Sequence, residues 1–154
     1  MGITVPIARF LGRLGISANA ITVVGCILNI GVACVIAVGH LRLAGLLLIF
    51  AAGLDGIDGV LARQLGATTK FGAFLDSVLD RVSESALLLG LAWWYISQSG
   101  HAGQLLAYIT VAGSLMVSYV RARAEGIGVD CKVGILTRVE RTLLFIAGLL
   151  LGLT

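Results

Sequence analysis

Five apolar runs, at residues 20–38, 43–62, 71–97, 103–120 and 142–153, occupy most of this 154-residue chain. Polar stretches at 39–42, 63–70, 97–104 and 121–141 separate them. A bilayer core about 30 Å thick needs roughly 20 helical residues per crossing, so each of the first four runs is long enough to span one. The fifth has only about a dozen residues before the chain stops and is too short at about 1.5 Å per residue. That end is expected to be truncated or to rely on a partner. Only 12% of residues are charged and 58% are hydrophobic, against about 25% charged in soluble domains. The expected fold class is all-α: a polytopic integral membrane helix bundle making one domain over residues 1–154. Residues 5–16 set Ile7, Phe10, Leu11 and Leu14 opposite Arg9 and Arg13, with Pro6 near the start, which predicts an N-terminal interfacial amphipathic helix. Ala18 and Ala20 precede the first run rather than follow it, unlike a signal-peptide cleavage site, so the first span is expected to be retained.

The net charge of +3 does not indicate nucleic acid, because that partner needs a solvated basic face that so apolar a chain lacks. It indicates topology. With a cytoplasmic N-terminus, nine of the eleven Lys and Arg residues fall inside, leaving Arg42 outside and Arg81 within a span, as the positive-inside rule requires. Trp93, Trp94 and Tyr95 then fall where an outer aromatic belt belongs. Cys26, Cys34 and Cys131 have neither metal-type nor paired spacing. His40 and His101 are expected on the outer side as ordinary loop residues.

Against this background the acids stand out, since four of the eight, Asp55, Asp58, Asp76 and Asp80, lie within 26 residues. Treating runs two and three as antiparallel helices, Asp58 and Asp76 lie about 9 Å in from the connecting turn, and Asp55 and Asp80 about 14–15 Å. The i,i+3 and i,i+4 spacings put each pair on one helical face. Clustered carboxylates in a partly dehydrated cleft stay ionised only if cations neutralise them. An oxygen-only donor set favours a hard divalent ion, Mg²⁺ or Mn²⁺. Salt bridges to Arg63, Lys70 and Arg81 are the structural alternative, and Arg81 with Glu84 is expected as an i,i+3 pair. Gly53, Gly56, Gly59 and Ala62 form a small-residue stripe suited to helix packing or to close approach of a phosphorylated ligand.

The segment Asp55-Gly56-Ile57-Asp58-Gly59-Val60-Leu61-Ala62-Arg63, followed by Gly72, Asp76 and Asp80, resembles the signature D-x2-D-G-x2-A-R-x8-G-x3-D-x3-D of the CDP-alcohol phosphatidyltransferases. All eight fixed positions match. The resemblance continues over nearly the whole chain, including Ser17-Ala18-Asn19 ahead of the first helix. The family has six transmembrane helices, so the chain is expected to lack the end of the fifth and all of the sixth. The resemblance implies transfer of a phosphatidyl-type group from a CDP-linked lipid to an alcohol, with release of CMP. It implies Asp55, Asp58, Asp76 and Asp80 as ligands of two divalent ions, Asp80 also as the base, and Gly59, Ala62, Arg63 and Gly72 as CDP-binding residues. Family members often form homodimers, and these residues do not locate a dimer face.

For the acceptor, Ser118-Tyr119-Val120-Arg121-Ala122-Arg123-Ala124-Glu125, Gly134 and Thr137-Arg138-Val139-Glu140-Arg141 resemble the subgroup that makes phosphatidylinositol phosphate or its archaeal ether-lipid equivalent. That likeness implies Arg121, Arg123, Arg138 and Arg141 as holders of the phosphate of inositol phosphate. Thr137 and Val139 depart from the subgroup's usual Glu-Arg-Pro-Glu-Arg. Glycerol phosphate or another headgroup alcohol is the alternative acceptor. A divalent-cation carrier is an alternative of a different class, and would need midplane acids reachable from both sides; an inactive fragment is a third reading. The expected location is the plasma membrane with the site facing the cytoplasm.

Overall fold

The computed structural model describes residues 17–64, 69–129 and 138–152, the side chains of residues 18, 54–64 and 138 excepted. The N-terminal amphipathic helix and Cys131 fall outside the described residues, as do the side chains of Asp55, Asp58, Gly59, Ala62, Arg63 and Arg138. All regular structure among the described residues is helical. The helices are α1 (Ala18–Ala37), α2 (Leu41–Gln64), α3 (Lys70–Ser97), α4 (His101–Gly126) and α5 (Arg138–Leu151). They follow the five apolar runs. The main difference is at α4, which continues six residues past the apolar run and carries Arg121 and Arg123 on its last turns.

The ends of the helices are set by local chemistry. The Ser17 hydroxyl accepts from the Ala20 amide at 3.2 Å and caps α1, and Thr69 caps α3 by accepting from the Gly72 amide at 2.9 Å, each satisfying one otherwise orphaned amide. Between α1 and α2 the chain turns at Gly39, whose φ is +88°. A Cβ there would also lie 3.3 Å from Nε1 of Trp94. Glycine is therefore required twice, for backbone conformation and for space.

α1 packs against both α2 and α3, α3 packs against α4, and α2 packs against α5. The apolar core consists of Val32, Ala33 and Ile36 of α1, Ala44, Leu48 and Ala51 of α2, Leu87 and Leu91 of α3, and Ile146 and Leu149 of α5. These residues lie late in α1, α3 and α5 and early in α2. The bundle is thus closed at the end remote from Gln64 and Lys70, and its signature-bearing end lies outside that core. At the closed end α1 and α3 touch backbone to backbone: a Cβ on Gly90 would collide with the Ala33 carbonyl oxygen and lie 3.0 Å from its carbon. On α2, Gly45 leaves room for Leu150 of α5.

The expected aromatic belt is divided. Trp93 is 63% exposed, whereas Trp94 packs at Gly39 and Tyr95 closes over Gly100 and Gly103, with the Trp94 and Tyr95 rings 5.0 Å apart. Successive helical residues diverge by about 100°, so three in a row cannot share one face. α1 and α4 are each long and apolar enough to cross a bilayer. Large side chains such as Phe50, 74% exposed, and Leu106, 63% exposed, project outward. Gly90→Ala is expected to destabilise the bundle by about 1–3 kcal/mol through overpacking, seen as a lower unfolding temperature in detergent. Gly31→Ala, whose new methyl meets nothing within 4 Å, should be neutral or slightly stabilising.

Candidate active site

Along α3 the residues Gly72, Asp76, Asp80 and Glu84 recur every four positions and so form one stripe. At its start, a Cβ on Gly72 would lie 3.0 Å from Oδ1 of Asn19 and 3.1 Å from Oγ1 of Thr69. The absent side chain lets the first turns of α1 and α3 meet. Asp76 is exposed and Asp80 half-buried. Asp55 and Asp58 lie on α2, and their side chains, which complete the expected cluster, are outside the described residues. Gly53, the first member of the small-residue stripe, faces open space, so at this position the stripe leaves room rather than making a helix contact.

Asp80 opens into a chamber of about 620 Å³ to which all five helices contribute. Its walls are mainly apolar, including Leu48, Leu87 and Phe145, with a polar band of Asn29, Ser83, Glu84, Ser114 and Arg141. Asn29 and Ser83 are buried at 4% and 5% exposure. The Asn29 amide donates to the Gly25 carbonyl at 3.0 Å within its own helix. A mainly apolar hollow with a few converging polar groups has the form of a small-molecule site.

Glu84 departs from its expected pairing with Arg81. Its carboxylate lies 3.3 Å from Nη1 of Arg141, while Arg81 donates to the Ser77 carbonyl at 2.7 Å. Arg141 also donates to the Ser114 hydroxyl at 2.9 Å, so one guanidinium links α3, α4 and α5. The sequence signal for Glu84 was its place on the Asp76–Asp80 stripe, but the i,i+3 reading with Arg81 masked it. Ser114, Asn29 and Ser83 carried no signal, since isolated polar residues in apolar helices do not reveal which way they face.

The four arginines expected at the acceptor phosphate are not gathered at one point. Arg141 lines the chamber with Asp80. Arg121 lines a separate hollow between α3 and α4, together with Arg81 and Tyr119. Arg123 is exposed and lies about 200° around α4 from Arg121. The side chain of Arg138 falls outside the described residues.

The sequence pattern of the CDP-alcohol phosphatidyltransferases matches residues 15–154. The archaetidylinositol phosphate synthase of Methanothermobacter thermautotrophicus is 40% identical over 144 residues, covering 91% of this chain and 69% of that protein. The phosphatidylinositol phosphate synthase of Corynebacterium glutamicum is 37% identical over 152 residues, covering 97% of this chain and 68% of that one. The crystal structure of the Mycobacterium tuberculosis phosphatidylinositol phosphate synthase with CDP-DAG bound superposes with a TM-score of 0.91 at 33% identity, covering 96% of this chain and 75% of that chain. The same enzyme in complex with manganese and citrate gives 0.90 at 33% identity, covering 95% and 71%. The chain belongs to the CDP-alcohol phosphatidyltransferase family and is an enzyme of that class.

Proposed function

We propose that this enzyme transfers a phosphatidyl-type group from a CDP-linked lipid to the hydroxyl of inositol phosphate and releases CMP. The observation that carries the reading is the placement of Asp80 and Arg141 on one chamber, a carboxylate base and a guanidinium within one hollow. The relatives named as phosphatidylinositol and archaetidylinositol phosphate synthases support the acceptor.

In this mechanism Asp80 accepts the proton of the acceptor hydroxyl as its oxygen attacks the lipid-side phosphorus, and the phosphorus–oxygen bond to CMP breaks. Arg141 holds the acceptor's phosphate, a match of planar guanidinium to oxyanion. Arg121, which lines the other hollow between α3 and α4, and Arg138, one turn before Arg141 in sequence, add positive charge to the approach of that phosphate. Arg123 is set aside from that group because it faces the other side of α4. Gly59, Ala62, Arg63 and Gly72 form the CDP surface. The close junction at Gly72 supports its inclusion, since a side chain there would push the two helix starts apart.

Asp55, Asp58, Asp76 and Asp80 would hold two divalent ions, Mg²⁺ or Mn²⁺. The exposed Asp76 and half-buried Asp80, one turn apart on one face, suit hard cations with oxygen ligands. Bound there, such ions neutralise the pyrophosphate and stabilise the departing CMP. Removing divalent cations with EDTA should abolish CMP release, and adding back Mg²⁺ or Mn²⁺ should restore it.

The exposed apolar surface and the positive-inside charge pattern support an integral protein of the plasma membrane, with the aspartates at the cytoplasmic edge and possible assembly as a homodimer. One-sided placement of the acids, beside basic residues, speaks against an ion path. Asp80→Asn is expected to lower kcat by about 10²–10⁴-fold, the range of a lost general base, in an assay of CMP release. Retention of full turnover would remove Asp80 from the base role. In a radiolabel transfer assay inositol phosphate should outperform glycerol phosphate and free inositol, and activity with glycerol phosphate alone would overturn the acceptor assignment.

A further inference from the structure

Among the described residues Arg141 is held through one nitrogen, Nη1, which meets the Glu84 carboxylate at 3.3 Å and the Ser114 hydroxyl at 2.9 Å. The first contact is an ion pair and the second a hydrogen bond. Nε is different: it is buried and has no hydrogen-bond partner among the described residues. With no accessible surface, Nε is closed to a ligand, so a molecule in the chamber meets the guanidinium through its remaining N–H groups. The guanidinium and Glu84 keep side-chain exposures of 32% and 27% and both line the chamber with Asp80.

We propose that Glu84 and Ser114 are positioning residues for the acceptor, holding Nη1 of Arg141 so that the exposed part of its guanidinium is presented to the acceptor's phosphate within the chamber. This rests on the acceptor reading given above and adds the residues that aim the guanidinium. A free arginine side chain carries about 2 kcal/mol of rotamer entropy, which would be lost each time a phosphate bound. With two tethers on different helices much of that ordering is done on folding, and the acceptor meets an edge already in place. Because Glu84 follows Asp80 by one helical turn on the same stripe, the charged tether of the arginine and the proposed base share one rigid element.

The test compares Michaelis constants for both substrates, using CDP-diacylglycerol in detergent micelles with inositol phosphate or glycerol phosphate varied. Glu84→Ala should raise KM for the phosphorylated acceptor about tenfold or more, the scale of one lost charge-assisted hydrogen bond. KM for the CDP-lipid should stay within about twofold, because the tethers act on the acceptor alone. Glu84→Gln keeps an oxygen for Nη1 and should recover most of the acceptor affinity. Ser114→Ala removes only the neutral tether, and should give the same split at a few-fold scale even if Glu84→Ala does not fold. Unchanged acceptor KM in both alanine variants, or a parallel rise for the two substrates, would overturn the positioning role while leaving the acceptor reading standing. If wild-type enzyme turned over only an unphosphorylated alcohol, the acceptor reading would fall and this role with it.

Discussion

The contact between Gly90 and the Ala33 carbonyl determines much of the rest of the bundle. Two helix backbones meet only where neither carries a side chain between them, and at Gly90 a single methyl would collide with α1. This crossing brings Ile36 and Val32 against Leu87 and Leu91, and it lets Trp94 reach the turn at Gly39. Close packing of small residues gains dispersion energy that an apolar solvent does not offset, which is the main attraction available to helices in lipid. The chamber adjoins this core at mid-depth, sharing Leu48 and Leu87 with it.

A hollow among apolar helices has to manage its charges. Glu84 and Arg141 are about a third exposed or less, and removing either would leave the other poorly solvated, a situation that costs several kcal/mol. Their pairing also ties helices together, since Arg141 of α5 reaches both Glu84 of α3 and Ser114 of α4. Stability and function therefore draw on the same guanidinium from different edges. Nη1 serves the fold, and the proposed acceptor contact falls to the exposed part of the guanidinium.

The helices were legible because apolar runs bounded by polar turns are a local signal, and each of the five appears within a few residues of its expected place. Ser17 and Thr69 are local too, each bonding an amide three residues on. The Asp76–Asp80 face followed from helix geometry alone. Contacts across the chain were not legible. Nothing near Glu84 distinguishes Arg81, three residues away, from Arg141, which arrives on another helix, and the nearer partner was the wrong one. Periodicity also corrects two groupings made by nearness in sequence. Trp93 points outward while Trp94 and Tyr95 turn inward, and Arg121 and Arg123 project from nearly opposite sides of α4, because adjacent letters are not adjacent faces.

α5, 14 residues long, sets the depth at which Arg141 meets the other helices. Leu149 and Leu150 sit at Gly45, near the start of α2, while Arg141, about 12–13 Å earlier along α5, is level with Glu84, half-way along α3. α5 therefore covers the closed half of the bundle and begins where the chamber begins. Its first turn brings Arg141 to the wall of the chamber beside Asp80 and Glu84, while Phe145 and Gly148 of its later turns line the same hollow toward the closed end. The proposed base on α3 and the proposed phosphate holder on α5 thus reach one hollow from two helices.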